Sequence, residues 1–102
     1  MQQYRDVGRA AFIRQPFGDD EFIHVFGEID TETDVEFRTA ITDASRVAKR
    51  VVVDLTRCTY IGSQGFSVLI QATKLMNISV IAPARIRRLM DIVGLTSLLI
   101  EA

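Results

Sequence analysis

The sequence predicts an α/β fold: a central mixed, mostly parallel sheet of about five strands, in the order ββαβαβαβ, with about three helices. Three observations predict it. Val51-Val52-Val53-Asp54-Leu55 is a β-branched run of the kind that lies buried on both faces as a central parallel strand. Phe37, Ala40, Ile41, Ala44 and Val47 recur at helical spacing and give one apolar face to lay against such a sheet. Strand and helix patterns then alternate along the chain, which implies parallel strands joined by right-handed crossovers.

Taken in order, Met1 to Arg9 is polar and reads as a loose N-terminal arm. Ala10 to Gln15 and Phe22 to Phe26 read as strands. Between them, Pro16-Phe17-Gly18-Asp19-Asp20 has the residues of a turn, so the pair predicts an antiparallel hairpin. A helix follows Asp30, where Thr31-Glu32-Thr33-Asp34 has a hydroxyl and, three residues on, a carboxylate, as a capping box requires. Val51 to Leu55 is the central strand, and Thr56 to Tyr60 a polar loop. A second helix starts at Ser63 or Gln64 and runs to about Leu75. Its apolar residues Phe66, Val68, Leu69, Ile70, Ala72 and Leu75 nearly encircle it, which predicts heavy burial. Ile78 to Ala82 is a strand, Pro83 opens a third helix with Ile86, Leu89, Met90 and Val93 on its buried stripe, and Gly94 ends it. Leu98 to Ile100 is a last short strand. Helices one and two are expected on one sheet face. The other face is covered by helix three or left for a partner.

The chain has 102 residues, 48% apolar and 25% charged, with a formal net charge of -1. That describes one ordinary globular domain over 1–102, with no global pull toward nucleic acid or an anionic membrane. No apolar run reaches the roughly 18 residues of a membrane span, and the N-terminus has no signal-peptide core. The single cysteine, Cys58, allows no internal disulfide and suits a reducing compartment. The sequence therefore reads as a cytoplasmic protein without membrane insertion or direct nucleic-acid contact. From Asp19 to Glu36 every charged side chain is acidic, and Arg85, Arg87 and Arg88 form a basic cluster. Two readings stand: solvated faces, or a polarised surface that orients a protein partner.

No catalytic constellation is evident, and the chain reads as a binding protein rather than an enzyme. His24, the only histidine, lies mid-strand and reads as structural. One Cys and one His offer no metal-ligand spacing, and no phosphate-binding lysine motif or dinucleotide fingerprint points to a cofactor. The segment Ile61-Gly62-Ser63-Gln64-Gly65 is distinctive in another way. A strand gives way to a polar loop, and two glycines flank Ser63 and Gln64 where a helix opens. Free backbone N–H groups there favour an anion or a phosphorylated side chain, while Ser63 serving simply as an N-cap explains the same residues. Cys58, just upstream, is either a small inert thiol or a redox-responsive one.

Four segments together resemble the STAS domain, in particular the bacterial anti-sigma factor antagonists. Gly27-Glu28-Ile29-Asp30 is similar to the Gly-Glu-Leu-Asp that ends the family's second strand, and Val51 to Leu55 to its central strand. Tyr60-Ile61-Gly62-Ser63-Gln64-Gly65-Phe66 falls where the family has an apolar pair followed by Asp-Ser-Ser/Thr-Gly-Leu. Ala84 to Leu95 is similar to its third helix and closing Gly-Leu. The resemblance implies binding to an anti-sigma factor, usually a serine kinase, and so control of sigma-dependent transcription by partner switching. It places the partner-binding surface at Asp30, Thr31, Gly62, Ser63, Gln64, Gly65, Phe66 and Ser67. It also implies a phosphoacceptor at the start of the second helix. Here the family's aspartate falls at Gly62 and the acceptor at Gln64, which leaves Ser63 as the remaining candidate for phosphorylation. The alternative is a non-phosphorylatable STAS module in a transporter or signalling-scaffold assembly; a homodimer is also open. Family members commonly have a further helix after the last strand.

Overall fold

The computed structural model describes the backbone of residues 3–7 and all of residues 9–101. Its strands are β1 (Gln3–Val7), β2 (Ala10–Phe17), β3 (Asp20–Ile29), β4 (Arg50–Ile61) and β5 (Ile78–Ile81), and its helices α1 (Asp34–Ser45), α2 (Ser63–Thr73) and α3 (Ala84–Ile92). The sheet runs in the order β1-β2-β3-β4-β5. It is mixed: β1, β2 and β3 pair antiparallel, and β3, β4 and β5 pair parallel. The α/β class and three helices expected from the sequence are present.

The N-terminal arm is a correction. Gln3–Val7 pairs residue for residue with Arg14–Ala10 of β2. Its residues show no apolar alternation. The hydrogen-bonding edge of β2, rather than the segment's own pattern, defines it as a strand. Met1, Gln2 and Gly8 lie outside the described residues.

The polar loop expected at Thr56 to Tyr60 is a second correction, because β4 continues through it to Ile61. Its register with β3 shifts twice, between His24 and Phe26 and between Gly27 and Glu28, so β4 carries two extra residues against its neighbour. Each bulge interrupts the alternation. Leu55, Cys58 and Ile61 are buried, while Thr56, Arg57, Thr59 and Tyr60 are exposed. Burial at every third residue looks like a loop to any reading that expects every second.

The final strand is a third correction. Thr96–Leu98 is a single 3-10 turn, and Leu99 makes one parallel bridge to Val80, with the Ile100 N–H donating to the Val80 carbonyl at 2.9 Å. Leu98–Ile100 thus covers part of the outer edge of β5 without extending it.

One core underlies all three helices. Phe12, Ile23, Val25, Val51, Val53 and Leu55 of the sheet meet Phe37 and Ile41 of α1, Leu69 of α2, and Ile86 and Met90 of α3 in a single cluster. Phe12 and Phe37 stack with centroids 5.9 Å apart. Helix three therefore lies on the same face as the other two, and among the described residues the opposite face carries no helix. Leu75 and Val47, expected on buried helix faces, lie beyond the helix ends and are exposed.

On the open face, Phe22, Val52 and Ser79 stand in one row and His24, Asp54 and Ile81 in the next. His24 is structural, as its mid-strand position suggested. Its Nδ1 lies 2.8 Å from Asp54 Oδ2 and its Nε2 2.9 Å from Gln15 Oε1, so the ring ties β2, β3 and β4 together. Burial acts to raise the Asp54 carboxyl. The side chain and backbone N–H of Thr56, together with His24, outweigh it and hold the group below its usual value.

Two stability predictions follow from this packing. Phe37→Ala should remove about 3–5 kcal/mol, seen as a lower urea midpoint. Asp54→Asn should cost about 1–2 kcal/mol at pH 7. The folded-state pKa of Asp54 lies beneath the unfolded value of about 3.9, so its contribution is complete above that pH and is lost as pH falls through the folded value. The gap between Asp54→Asn and the parent, measured by urea denaturation, should therefore close below about pH 4.

Candidate functional site

Parallel pairing of β3 with β4 sets Ile29 opposite Ile61 and so ends both strands at one edge. The chain leaves each strand into a helix, and the two junctions are joined directly by the Gly62 N–H, which donates to the Ile29 carbonyl at 2.9 Å. Asp30 and Thr31 are thereby held beside Gly62, Ser63 and Gln64, which is where open α/β sheets place their working surface, at the carboxyl ends of parallel strands.

At the first junction the capping box expected from Thr31 and Asp34 does not form. The helix starts at Asp34 with Thr33 as N-cap, and Thr33 makes no side-chain cap bond. Its buried hydroxyl donates to the Glu28 carbonyl at 2.8 Å and accepts from the Asp30 N–H at 3.0 Å. Asp30 holds the turn instead, its Oδ1 accepting from the Glu32 N–H at 2.9 Å. That bond lowers the Asp30 carboxyl pKa against an opposing effect of desolvation, and Arg9 and Thr33 lower it further. Arg9, in the turn between β1 and β2, pairs with Asp30 and lies near Glu28 and Glu32 at 3.6 and 3.7 Å. It reaches them because Gly27 has φ of +87°, and a Cβ there would stand 2.0 Å from the Arg9 carbonyl oxygen.

The acidic run is thus neither simply solvated nor unpaired. Asp19 faces Lys49 at 3.8 Å, Asp20 faces Arg50 at 2.7 Å, and Glu21 pairs with Arg14. The basic cluster is also dispersed. Arg85 donates to the Cys58 carbonyl, and Arg87 lies 3.4 Å from Glu101.

At the second junction α2 begins without a side-chain cap. Gly62 is the N-cap residue, and its carbonyl accepts from the N–H groups of Gly65 and Phe66. Ser63 is therefore not an N-cap. It is the first helical residue, exposed, and its hydroxyl makes no hydrogen bond among the described residues. Ser67 and Thr31 are exposed as well. Phe66, expected to face a partner, is 7% exposed and belongs to the core. Gly65 is buried because α2 packs tightly on the strand ends: a Cβ would lie 2.6 Å from Ile61 Cγ1 and 2.9 Å from Ile29 Cγ2. These two residues support the surface from beneath.

Gly62, Gln64 and Tyr60 form a set. A Cβ on Gly62 would stand 2.9 Å from Gln64 Oε1 and 3.1 Å from the Tyr60 hydroxyl. The glutamine amide and the tyrosine ring thus fill the space in which a larger residue at Gly62 would begin. Tyr60 and Val35, 51% and 57% exposed, add apolar area at the two junctions. The sequence signal for Val35 was an apolar residue off the Phe37 stripe, and for Tyr60 an aromatic beside the glycine motif. Arg9 had no signal. Cys58 is fully buried in β4, and desolvation pushes its thiol up despite opposing effects from the Tyr60 backbone and Arg85. This is the setting of an inert thiol rather than a redox-responsive one. Among the described residues no cluster of His, Cys, Asp and Glu is placed to hold a metal, and no helix is long and apolar enough to cross a membrane.

Comparison with known proteins bears on the fold. No curated protein matches the sequence. Among solved structures, an anti-sigma factor antagonist from Mycobacterium paratuberculosis superposes with a TM-score of 0.81 at 22% identity, covering 86% of this chain and 80% of that one. The anti-sigma factor antagonist SpoIIAA in its unphosphorylated form gives 0.68 at 18% identity, covering 100% and 88%. The Bacillus cell fate determinant SpoIIAA in its phosphorylated form gives 0.65 at 17% identity, covering 100% and 91%. At these identities the likeness is one of fold. The profile of the family described as "Mlab, STAS domain" matches residues 15–101. The chain belongs to the STAS domain family.

Proposed function

We propose that this STAS domain is an anti-sigma factor antagonist. It binds an anti-sigma factor, of the serine-kinase kind, and so controls sigma-dependent transcription by partner switching. It acts by binding rather than catalysis. The observation that carries this reading is the joined pair of strand–helix junctions, which presents the exposed residues Thr31, Ser63 and Ser67 on one surface, with Gln64 partly exposed among them. Gln64 replaces the usual phosphoacceptor. Being neutral, it keeps the surface in the form that binds. Ser63 is the hydroxyl of the motif left to carry a phosphate, at a helix start whose free N–H groups favour one. A phosphate there adds nearly two negative charges and repels the partner.

A second reading has its own support. An STAS module fixed within a transporter or signalling assembly needs no switch, which suits Gln64, and the matching family is the one described by Mlab.

The test is a binding screen of the purified protein against candidate anti-sigma kinases encoded in the same genome. The antagonist reading predicts a stable complex with at least one, weakened about tenfold or more by Ser63→Asp, as a charge placed in a packed interface requires. Failure to bind any of them would reject it in favour of the fixed module. With ATP and the bound kinase, label should enter the parent protein and be absent from Ser63→Ala, as read by mass spectrometry. Label that persists in Ser63→Ala would place the switch elsewhere.

A further inference from the structure

The two helices that frame the proposed surface also form a groove further along their length. Ile41 of α1, with Val68, Ala72, Leu75 and Met76 of α2 and its C-terminal extension, line a depression of about 310 Å³ including its open mouth, and Arg38 stands at its rim. The groove continues the proposed surface along both helices. On α1, Val35, Arg38 and Thr42 follow one another at helical spacing, and on α2 Gln64, Val68 and Gln71 do the same, with Leu75 just past the helix end. Leu75 is 81% exposed, although it is one of the groove's apolar walls.

Charge decides what fits. Arg38 is exposed and makes no hydrogen bond or ion pair among the described residues, and no carboxylate lines the groove. The junction end of the same surface is acidic on balance, because Glu28, Asp30, Glu32 and Asp34 outnumber Arg9, which pairs with Asp30. The surface is therefore polarised along the helices, cationic at the groove and anionic at the junctions. We propose that the groove between α1 and α2 receives a segment of the protein partner that carries a bulky apolar side chain with a carboxylate one helical turn away. The apolar side chain fills the depression and the carboxylate pairs with Arg38. Much of that volume is open solvent above the groove, so the depression is shallow and suits one side chain better than a whole ligand. Apolar anchors on a helix laid in a groove are a recurrent mode of peptide recognition. The polarity fixes the direction in which the partner lies, because reversing it would turn the carboxylate away from Arg38 and toward the acidic junctions.

The proposal rests on reading α1 and α2 as the partner surface, and its test is separable from the anti-sigma screen. The probes are two helix-favouring synthetic peptides, identical except that one has Leu with Glu four residues on and the other Leu with Lys. They are titrated into the ¹⁵N-labelled full chain and followed by amide chemical shifts. The Glu peptide should move the signals of Ile41, Thr42, Val68, Gln71 and Leu75, and bind about tenfold more tightly than the Lys peptide. Arg38→Glu should reverse that preference, and Gln71→Trp, placed on an exposed rim residue, should abolish binding of both. Arg88→Glu on α3 controls for net charge and should change nothing. Equal binding of the two peptides, an unchanged preference in Arg38→Glu, or no groove shifts at millimolar peptide overturns the proposal. A kinase that binds the parent, Arg38→Glu and Gln71→Trp equally would keep the antagonist reading and reject the groove. Peptide binding without any anti-sigma partner would do the reverse.

Discussion

The parallel pairing of β3 with β4 is the constraint on which the rest of the structure depends. It runs from Asp20 opposite Arg50 to Ile29 opposite Ile61, and over that span β4 spends two more residues than β3. Without those residues, strict alternation from Leu55 would turn Arg57 and Thr59 toward the core, an unpaired charge and a hydroxyl among apolar side chains. With them, Cys58 and Ile61 face inward and Arg57 turns out to lie 5.8 Å over the ring of Phe26. The bulges also bring both strands to their ends together, so the Gly62 N–H meets the Ile29 carbonyl and α1 and α2 start side by side. Everything read as a functional surface is a consequence of that shared end.

How much of this was legible in the sequence follows from which interactions are local. The three helices were legible because each announces itself within a dozen residues: the Phe37 stripe, the apolar density of α2, and Pro83 with Gly94, whose φ is +80°. The family was legible from short motifs in order. What was hidden depended on partners distant in sequence. Residues 3–7 become a strand because β2 offers an edge. Thr56 to Tyr60 looks like a loop until the bulges are known. Thr31 and Asp34 have the spelling of a capping box, but the hydroxyl and carboxylate that hold the turn are Thr33 and Asp30, because the Glu28 carbonyl and Arg9 compete for them. Leu98 to Ile100 has a strand's composition and only one bridge to pair with.

For the candidate site, the sequence was a poor guide to which side chains are exposed. Of the eight residues first assigned to partner contact, Gly62, Gly65 and Phe66 are buried. Their contribution is to bring α2 down on Ile29 and Ile61. The departures from the family pattern are also linked. Gly62 leaves room, and the Gln64 amide and the Tyr60 ring occupy it. A lone return to a larger residue at Gly62 would push on both. Positions 62 and 64 are therefore coupled, because the space above Gly62 is the space that the Gln64 amide uses.

Asp30 makes the same point from the other side. Its carboxylate already accepts from the Glu32 N–H and pairs with Arg9, and its own N–H donates to Thr33. A group so fully engaged gains little from a new contact, because any partner must first displace an interaction of similar strength. Thr31, Ser63 and Ser67, by contrast, are exposed and make no hydrogen bond through their side chains among the described residues. Binding at these positions replaces only water. On the proposed reading, the groups open to a partner are these unengaged hydroxyls and the apolar area of Val35 and Tyr60. Asp30, locked by Arg9, holds the first junction in the shape that presents them.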